Sequence, residues 1–172
     1  LSALHFAARE GAMAAARALA DAKATLDVVD PDGITPMHLA IINGHFDLAA
    51  LLVERGADVN KGDRVGRTPL FMTVDAHSME WLFSRPIPEP SGDLTALDLA
   101  TRLLEKGARV NAALTGRPFI LHHNATGNRN IAEGATPFFR AATTSDVAMM
   151  RLLLAHGADP SLATRNGTTA VM

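Results

Sequence analysis

Apolar residues in the segment 36–54 fall into two short groups, each spaced three and four apart. Met37, Leu39, Ala40 and Ile41 form the first; Phe46, Leu48, Ala49, Leu51 and Leu52 form the second. That spacing puts each group on one face of a helix. Gly44 separates them, and Gly56 follows the second where a left-handed cap would end it. The pattern predicts helices near 36–43 and 46–54, and the same rhythm predicts others near 69–83, 94–105, 137–143 and 146–155. Leu52 is expected to face the core between paired helices.

The pattern is copied along the chain. Thr35-Pro36-Met37-His38-Leu39-Ala40 answers Ser2-Ala3-Leu4-His5-Phe6-Ala7 at an offset of 33 residues. Thr68-Pro69-Leu70-Phe71-Met72-Thr73 follows at a further 33 and Thr136-Pro137-Phe138-Phe139-Arg140-Ala141 at another 68, with Thr169-Ala170-Val171-Met172 starting once more. Unit endings repeat too: Gly56-Ala57-Asp58-Val59-Asn60, Gly107-Ala108-Arg109-Val110-Asn111, Gly157-Ala158-Asp159-Pro160, and a degenerate Lys23-Ala24-Thr25-Leu26-Asp27. Within a unit, Gly33 suits a hairpin tip of positive φ, Thr35 an N-cap and Pro36 the first helical turn. One such unit cannot bury its apolar face alone, whereas stacked units bury each other's.

A 33-residue period carrying T-P-x-H-x-A and G-A-D-x-N resembles the ankyrin repeat over most of the chain. The resemblance implies an all-α solenoid of stacked helix–turn–helix units joined by β-hairpin loops. It also implies that His5 and His38 hydrogen-bond neighbouring backbone and fix hairpin geometry. On this reading residues 1–172 form a single domain: a partial unit 1–29, units 30–62, 63–111 and 112–163, and a partial unit 164–172. Because Leu1–Ala8 reads as the interior of a unit, the chain reads as a fragment.

Two insertions break the period. About 18 extra residues separate Gly56 from Gly107, around the Pro- and Ser-rich stretch SRPIPEPSGD. Thr73–Phe83 has no Gly or Pro, so the preceding helix is expected to lengthen, with Ser91 or Asp93 capping the next. The second insertion adds about 17 residues between Leu114 and Glu133, and its apolar run Phe119-Ile120-Leu121 needs burial. Insertions of this length are usually functional or flexible.

Composition narrows the chemistry. A net charge of −2 supplies no basic field, and the chain has no tyrosine, which argues against nucleic acid. Nothing approaches the twenty apolar residues of a membrane span. With no cysteine there is no disulfide, thiolate ligand or thiol nucleophile, and the compartment stays open. Cytoplasmic, periplasmic and secreted locations all suit such a soluble chain, the cytoplasm slightly favoured. Thirteen arginines against three lysines, with abundant alanine, suggest a GC-rich and therefore bacterial genome.

Catalytic readings find little to stand on. His122 and His123 could suggest a metal or general-base site, but adjacent side chains diverge and no acid lies within three positions. Asn124-Ala125-Thr126 fits a glycosylation acceptor, a pattern that chance often supplies. Asp58 and Asp159 read as turn residues and Trp81 as core. No nucleophile motif or phosphate loop appears, so neither enzymatic activity nor a cofactor is expected.

The expected role is binding of a protein partner, or scaffolding, through hairpin tips and the inner face of the first helices. By the resemblance, Pro31, Asp32, Ile34, Ile42 and Asn43 read the partner, with Arg64, Val65, Arg67, Asp75, Ala76, Thr143 and Thr144. The second insertion adds Phe119, Ile120 and Leu121 as anchors, with Arg117, His122, His123 and Arg129 as a basic rim steering an acidic partner. Other readings are the repeat portion of a larger enzyme or secreted effector, and end-to-end self-association.

Overall fold

A computed structural model describes residues 1–78, 90–117 and 131–171. They carry eight helices: α1 (Ala3–Arg9), α2 (Met13–Asp21), α3 (Pro36–Ile42), α4 (Phe46–Glu54), α5 (Pro69–His77), α6 (Ala96–Glu105), α7 (Pro137–Thr143) and α8 (Val147–Ala155). No regular strand occurs among these residues. The helices stack in two layers, α1, α3, α5 and α7 in one and α2, α4, α6 and α8 in the other, each packing on its neighbours. One apolar cluster runs through the stack from Leu4 to Ala158, and Leu52 is fully buried in it. The Phe119–Leu121 run, the His122–His123 pair, Arg129, Trp81 and Asn124–Thr126 lie outside the described residues.

Local chemistry accounts for the helix starts. The Ser2, Thr35, Thr68 and Thr136 hydroxyls each accept the N–H of the residue three positions on, filling an orphan donor of the first turn. In α1 and α3 that residue is histidine, which closes a reciprocal capping box: the Thr35 N–H donates to His38 Nδ1 at 3.1 Å. With Nδ1 accepting, the proton sits on Nε2. His5 Nε2–H donates to the Ile34 carbonyl at 3.0 Å, joining one unit's helix to the next unit's hairpin. The motif histidines are thus structural linchpins.

His38 is less well served. Its buried Nε2 has no hydrogen bond of normal geometry, although the Arg67 and Lys61 carbonyls still draw its pKa upward. Burial outweighs them and the Asp63 carboxylate, pushing His38 down to about 4 from the ordinary 6.5. The unfolded chain therefore binds a proton here at higher pH than the folded one. Stability from neutral His38 is intact above about pH 6.5 and lost as pH falls toward 4. The shift corresponds to about 3 kcal/mol. Urea unfolding from pH 7 to pH 4 is expected to show that decline. His38→Phe, which copies Phe71 of the following unit, is expected to flatten it.

In α5 and α7 phenylalanine takes the histidine position. Phe71 and Phe139 forgo the reciprocal bond and build a second apolar cluster with Leu114, Ile131 and Ala135. Leu114 and Ile131 flank the undescribed part of the second insertion. The base is also pinned by backbone, Leu114 N–H to the Ala135 carbonyl at 2.9 Å and Gly134 N–H to the Leu114 carbonyl at 2.8 Å.

Unit endings form a ladder along the stack. Asn60 accepts the Arg109 N–H at 2.8 Å and donates to the Gly107 carbonyl at 3.0 Å. Asn111 repeats both bonds, to Asp159 at 2.9 Å and Gly157 at 3.1 Å. Asp27, in the degenerate ending, can only accept, and takes the Asp58 N–H at 2.9 Å. Asp58 and Asp159 serve their own turns, accepting the N–H of Asn60 and Ser161.

Two expectations are corrected. Helix α5 stops at His77 instead of running to 83, because Ser78 leaves the helix at its C-cap and its hydroxyl donates to Asp146 at 2.8 Å. Helix α6 is capped by Thr95, not Ser91 or Asp93, through a capping box with Asp98. Ser91 instead reaches back to the preceding unit, its N–H to the Gly44 carbonyl and its hydroxyl to His45 Nδ1 at 2.7 Å. Residues 1–29 carry both helices of a pair, α1 and α2.

Candidate protein interaction surface

The hairpin-like turns are built alike. Asp30 accepts the N–H groups of Asp32 and Ile34, each at 2.9 Å. Asp63 does the same for Val65 and Arg67. Gly33 and Gly66 take positive φ at the tips; a Cβ on Gly33 would lie 2.9 Å from the Arg64 nitrogen. Successive turns then join: Arg64 N–H to the Asp32 carbonyl at 3.0 Å, Thr115 to Val65 at 3.0 Å, Arg165 to Glu133 at 2.7 Å. The tips form one bonded row, rigid enough to present side chains.

The charges on that row are largely neutralised within the chain. Arg64 pairs with Asp32 at 2.7 Å, Arg67 with Asp63 at 2.6 Å and Arg165 with Glu133 at 2.7 Å. Of the expected basic rim, Arg117 is exposed at the base of the insertion, and His122, His123 and Arg129 lie outside the described residues. Ile34 departs from the sequence reading, being buried in the core under the tip. Its side chain fills the space beneath the Asp30 turn, while its carbonyl takes the His5 bond.

Asp75 is already paired within the chain. It pairs at 2.5 Å with Arg140, whose side chain is only 4% exposed. The same guanidinium reaches Thr143 Oγ1 at 3.4 Å. Arg140 occupies the place that Phe6, Leu39 and Met72 hold in the other units, so an ion pair replaces an apolar contact between α5 and α7. One turn on, Asp146 caps α8 through the Met149 N–H and also takes His77 Nδ1 at 2.5 Å and the Ser78 hydroxyl. Burial pushes the Asp146 carboxyl up, but the bonds from His77, Met149 and Ser78 outweigh it and leave the pKa below the ordinary carboxylate value. The C-terminal joint of the helix row is therefore polar and self-satisfied.

The N-terminal half of the row differs. Phe6 is 47% exposed, with the Arg9 guanidinium 5.1 Å above its ring. Leu39, Ile42 and Asn43 lie half-buried on α3, the helix that packs against α1. Val65, Ala76 and Thr144 are also half-buried, and Pro31 and Thr143 exposed. Phe6, Leu39 and Arg140 escaped the sequence reading. The signal was available: all stand four residues after the cap, where one unit can be compared with the next.

Elsewhere the chemistry is sparse. A groove of about 470 Å³ between α4 and α6 has Ala50, Val53 and Leu94 in its lining, and the Arg102–Glu54 pair at 3.0 Å occupies its rim. Among the described residues no three His, Asp or Glu side chains gather to hold a metal. Their helices include none long and apolar enough to cross a membrane.

Known proteins agree with this architecture. The family described as ankyrin repeats in three copies matches residues 4–113, and a single ankyrin repeat matches 133–165. Ankyrin repeat and SOCS box protein 6 of Homo sapiens is 30% identical over 180 aligned residues, covering 80% of this chain and 38% of that protein. An ankyrin repeat-containing protein of Schizosaccharomyces pombe is 50% identical over 46 residues, 27% of this chain and 22% of its own length. Protein phosphatase 1 regulatory subunit 27 of Mus musculus is 40% identical over 48 residues, 28% of this chain and 31% of its own. The chain thus spans well under half the length of these relatives. They are fungal and mammalian, and lend no support to the bacterial reading of the composition.

Proposed function

The chain belongs to the ankyrin-repeat family, whose repeats generally mediate protein–protein contact, and we propose that it is a non-catalytic binding module. Its partner is held on the row of first helices and the hairpin tips beside it. The observation that carries this reading is the contrast along that row. Phe6 stands open on α1, and Leu39 and Ile42 are half-buried on α3, which packs against it, whereas Asp75 and Arg140 satisfy one another on α5 and α7. An exposed aromatic beside an arginine, with aliphatic neighbours, is the composition of a binding anchor.

Arg64 pairs with Asp32 and Arg67 with Asp63, so the tips of these two turns add little charge steering. The proposed partner presents apolar side chains to Phe6 and Ile42, and binding should respond weakly to salt. Affinity capture from the source cells, followed by titration of the recovered partner, tests this. Phe6→Ala and Ile42→Ser are each expected to weaken binding by about 1–3 kcal/mol, with little change in melting temperature for Phe6→Ala and some loss for Ile42→Ser, which also packs on the core. Unchanged affinity in both variants, or turnover of a substrate by the isolated chain, would contradict the reading. The curated relatives extend far beyond the aligned region, so a second reading makes this module the recognition part of a longer protein whose activity lies in other segments.

A further inference from the structure

Histidine closes the capping box only in the N-terminal half. In α1 the Ser2 N–H donates to His5 Nδ1 at 3.1 Å, and in α3 the Thr35 N–H donates to His38 Nδ1 at the same distance. Helices α5 and α7 carry Phe71 and Phe139 at that place and are capped by threonine alone. The joints between units divide in the same way. His5 Nε2–H reaches the Ile34 carbonyl, the residue before the Thr35 cap. The carbonyl before the Thr136 cap, Ala135, takes the Leu114 N–H instead, a bond without a titrating group.

His38 is fully enclosed, and its Nε2 has no partner of normal geometry. The charged groups that bear on it are Asp63, which favours the cation, and Arg67, which opposes it. Those two are paired with each other at 2.6 Å. Arg9 and Glu10 on α1, Asp47 and Glu54 on α4, and Asp75 and His77 on α5 do not bear on it. A second proton makes both ring nitrogens donors. Nδ1–H then faces the Thr35 N–H, donor against donor, and the reciprocal half of the cap is lost. With burial added, the charged form is resisted down to about pH 4, so the stability lost runs from 6.5 to that value.

Acid reaches the other half later. Asp146, which ties α8 to the end of α5, is held below the ordinary carboxylate value, so its bonds persist until pH falls under that range. His77 Nδ1 donates to it whether or not the ring is charged.

Resting on the partner face described above, we propose that α1 and α3 form a proton-operated release: in mild acid their histidine caps open, Phe6, Leu39 and Ile42 lose their common frame, and the partner is let go while α7 and α8 stay folded.

Hydrogen exchange of the 172-residue chain, measured at neutral pH and at about pH 5 and corrected for intrinsic rates, tests this without a partner. Opening of the unit that holds His38 is expected to rise about thirtyfold at the lower pH. Helices α1 and α3 should lose protection together, and α7 and α8, whose opening leaves His38 buried, should change little. His38→Phe and His38→Leu, neither of which titrates, are each expected to abolish the rise in α3. A rise spread evenly over all eight helices, or one that survives both substitutions, would overturn the proposal. The partner reading is judged separately, by the effect of Phe6→Ala on binding at neutral pH.

Discussion

Asp75→Ala is expected to cost about 3–5 kcal/mol of stability, although Asp75 itself is partly accessible. The cost falls on Arg140. Its guanidinium is almost wholly enclosed, and without the carboxylate at 2.5 Å it keeps only the long contact to Thr143. A buried unpaired charge is among the most damaging defects a fold can carry. The pair itself need not be worth much, because both ions were desolvated to form it. Asp75→Ala combined with Arg140→Met separates the two contributions, since methionine is what the third unit carries at this place, as Met72. The double variant is expected to recover most of the lost stability in urea unfolding, leaving a coupling energy of about 2–3 kcal/mol. If the double variant were as unstable as Asp75→Ala alone, the ion pair would not be the cause.

Leu52→Ala is expected to cost about 2–5 kcal/mol, the range for truncating a fully buried leucine. Leu52 is 0% exposed in the continuous apolar cluster, and the helices around it are only seven to ten residues long. Such short helices depend on their neighbours for stability. Unfolding of the second unit should therefore spread to α1–α2 and α5–α6, which pack on either side of it. Hydrogen exchange is expected to show lost protection in all three units, with α7–α8 retaining the most. An unchanged melting temperature would contradict the burial of this side chain.

The helix pairs, the Thr35 cap and the role of His5 were legible in the sequence, because each depends on contacts that recur every 33 residues. Comparison of units supplies the missing third dimension: a residue type kept at one phase has the same neighbours each time. The same property hides the exceptions. Ile34 looks like a surface residue of a hairpin, yet the Asp30 turn folds its side chain inward. Asp75 looks like a free acid, because its partner lies 65 residues away in a different unit. The end of α5 was misread for a similar reason. Nothing in Thr73–Phe83 stops a helix, and the Ser78 and His77 bonds that do so come from Asp146. Long-range pairing between polar groups has no period, so it leaves no trace in the repeat.

The clamp formed by Phe71, Leu114, Ile131, Ala135 and Phe139 has a bearing on how this protein can change. It seals the root of the second insertion with apolar packing and two backbone bonds. Closing a longer loop costs only about 0.6 kcal/mol for each doubling of its length. A longer sequence joining Arg117 to Ile131 therefore adds little to the cost of closing the root.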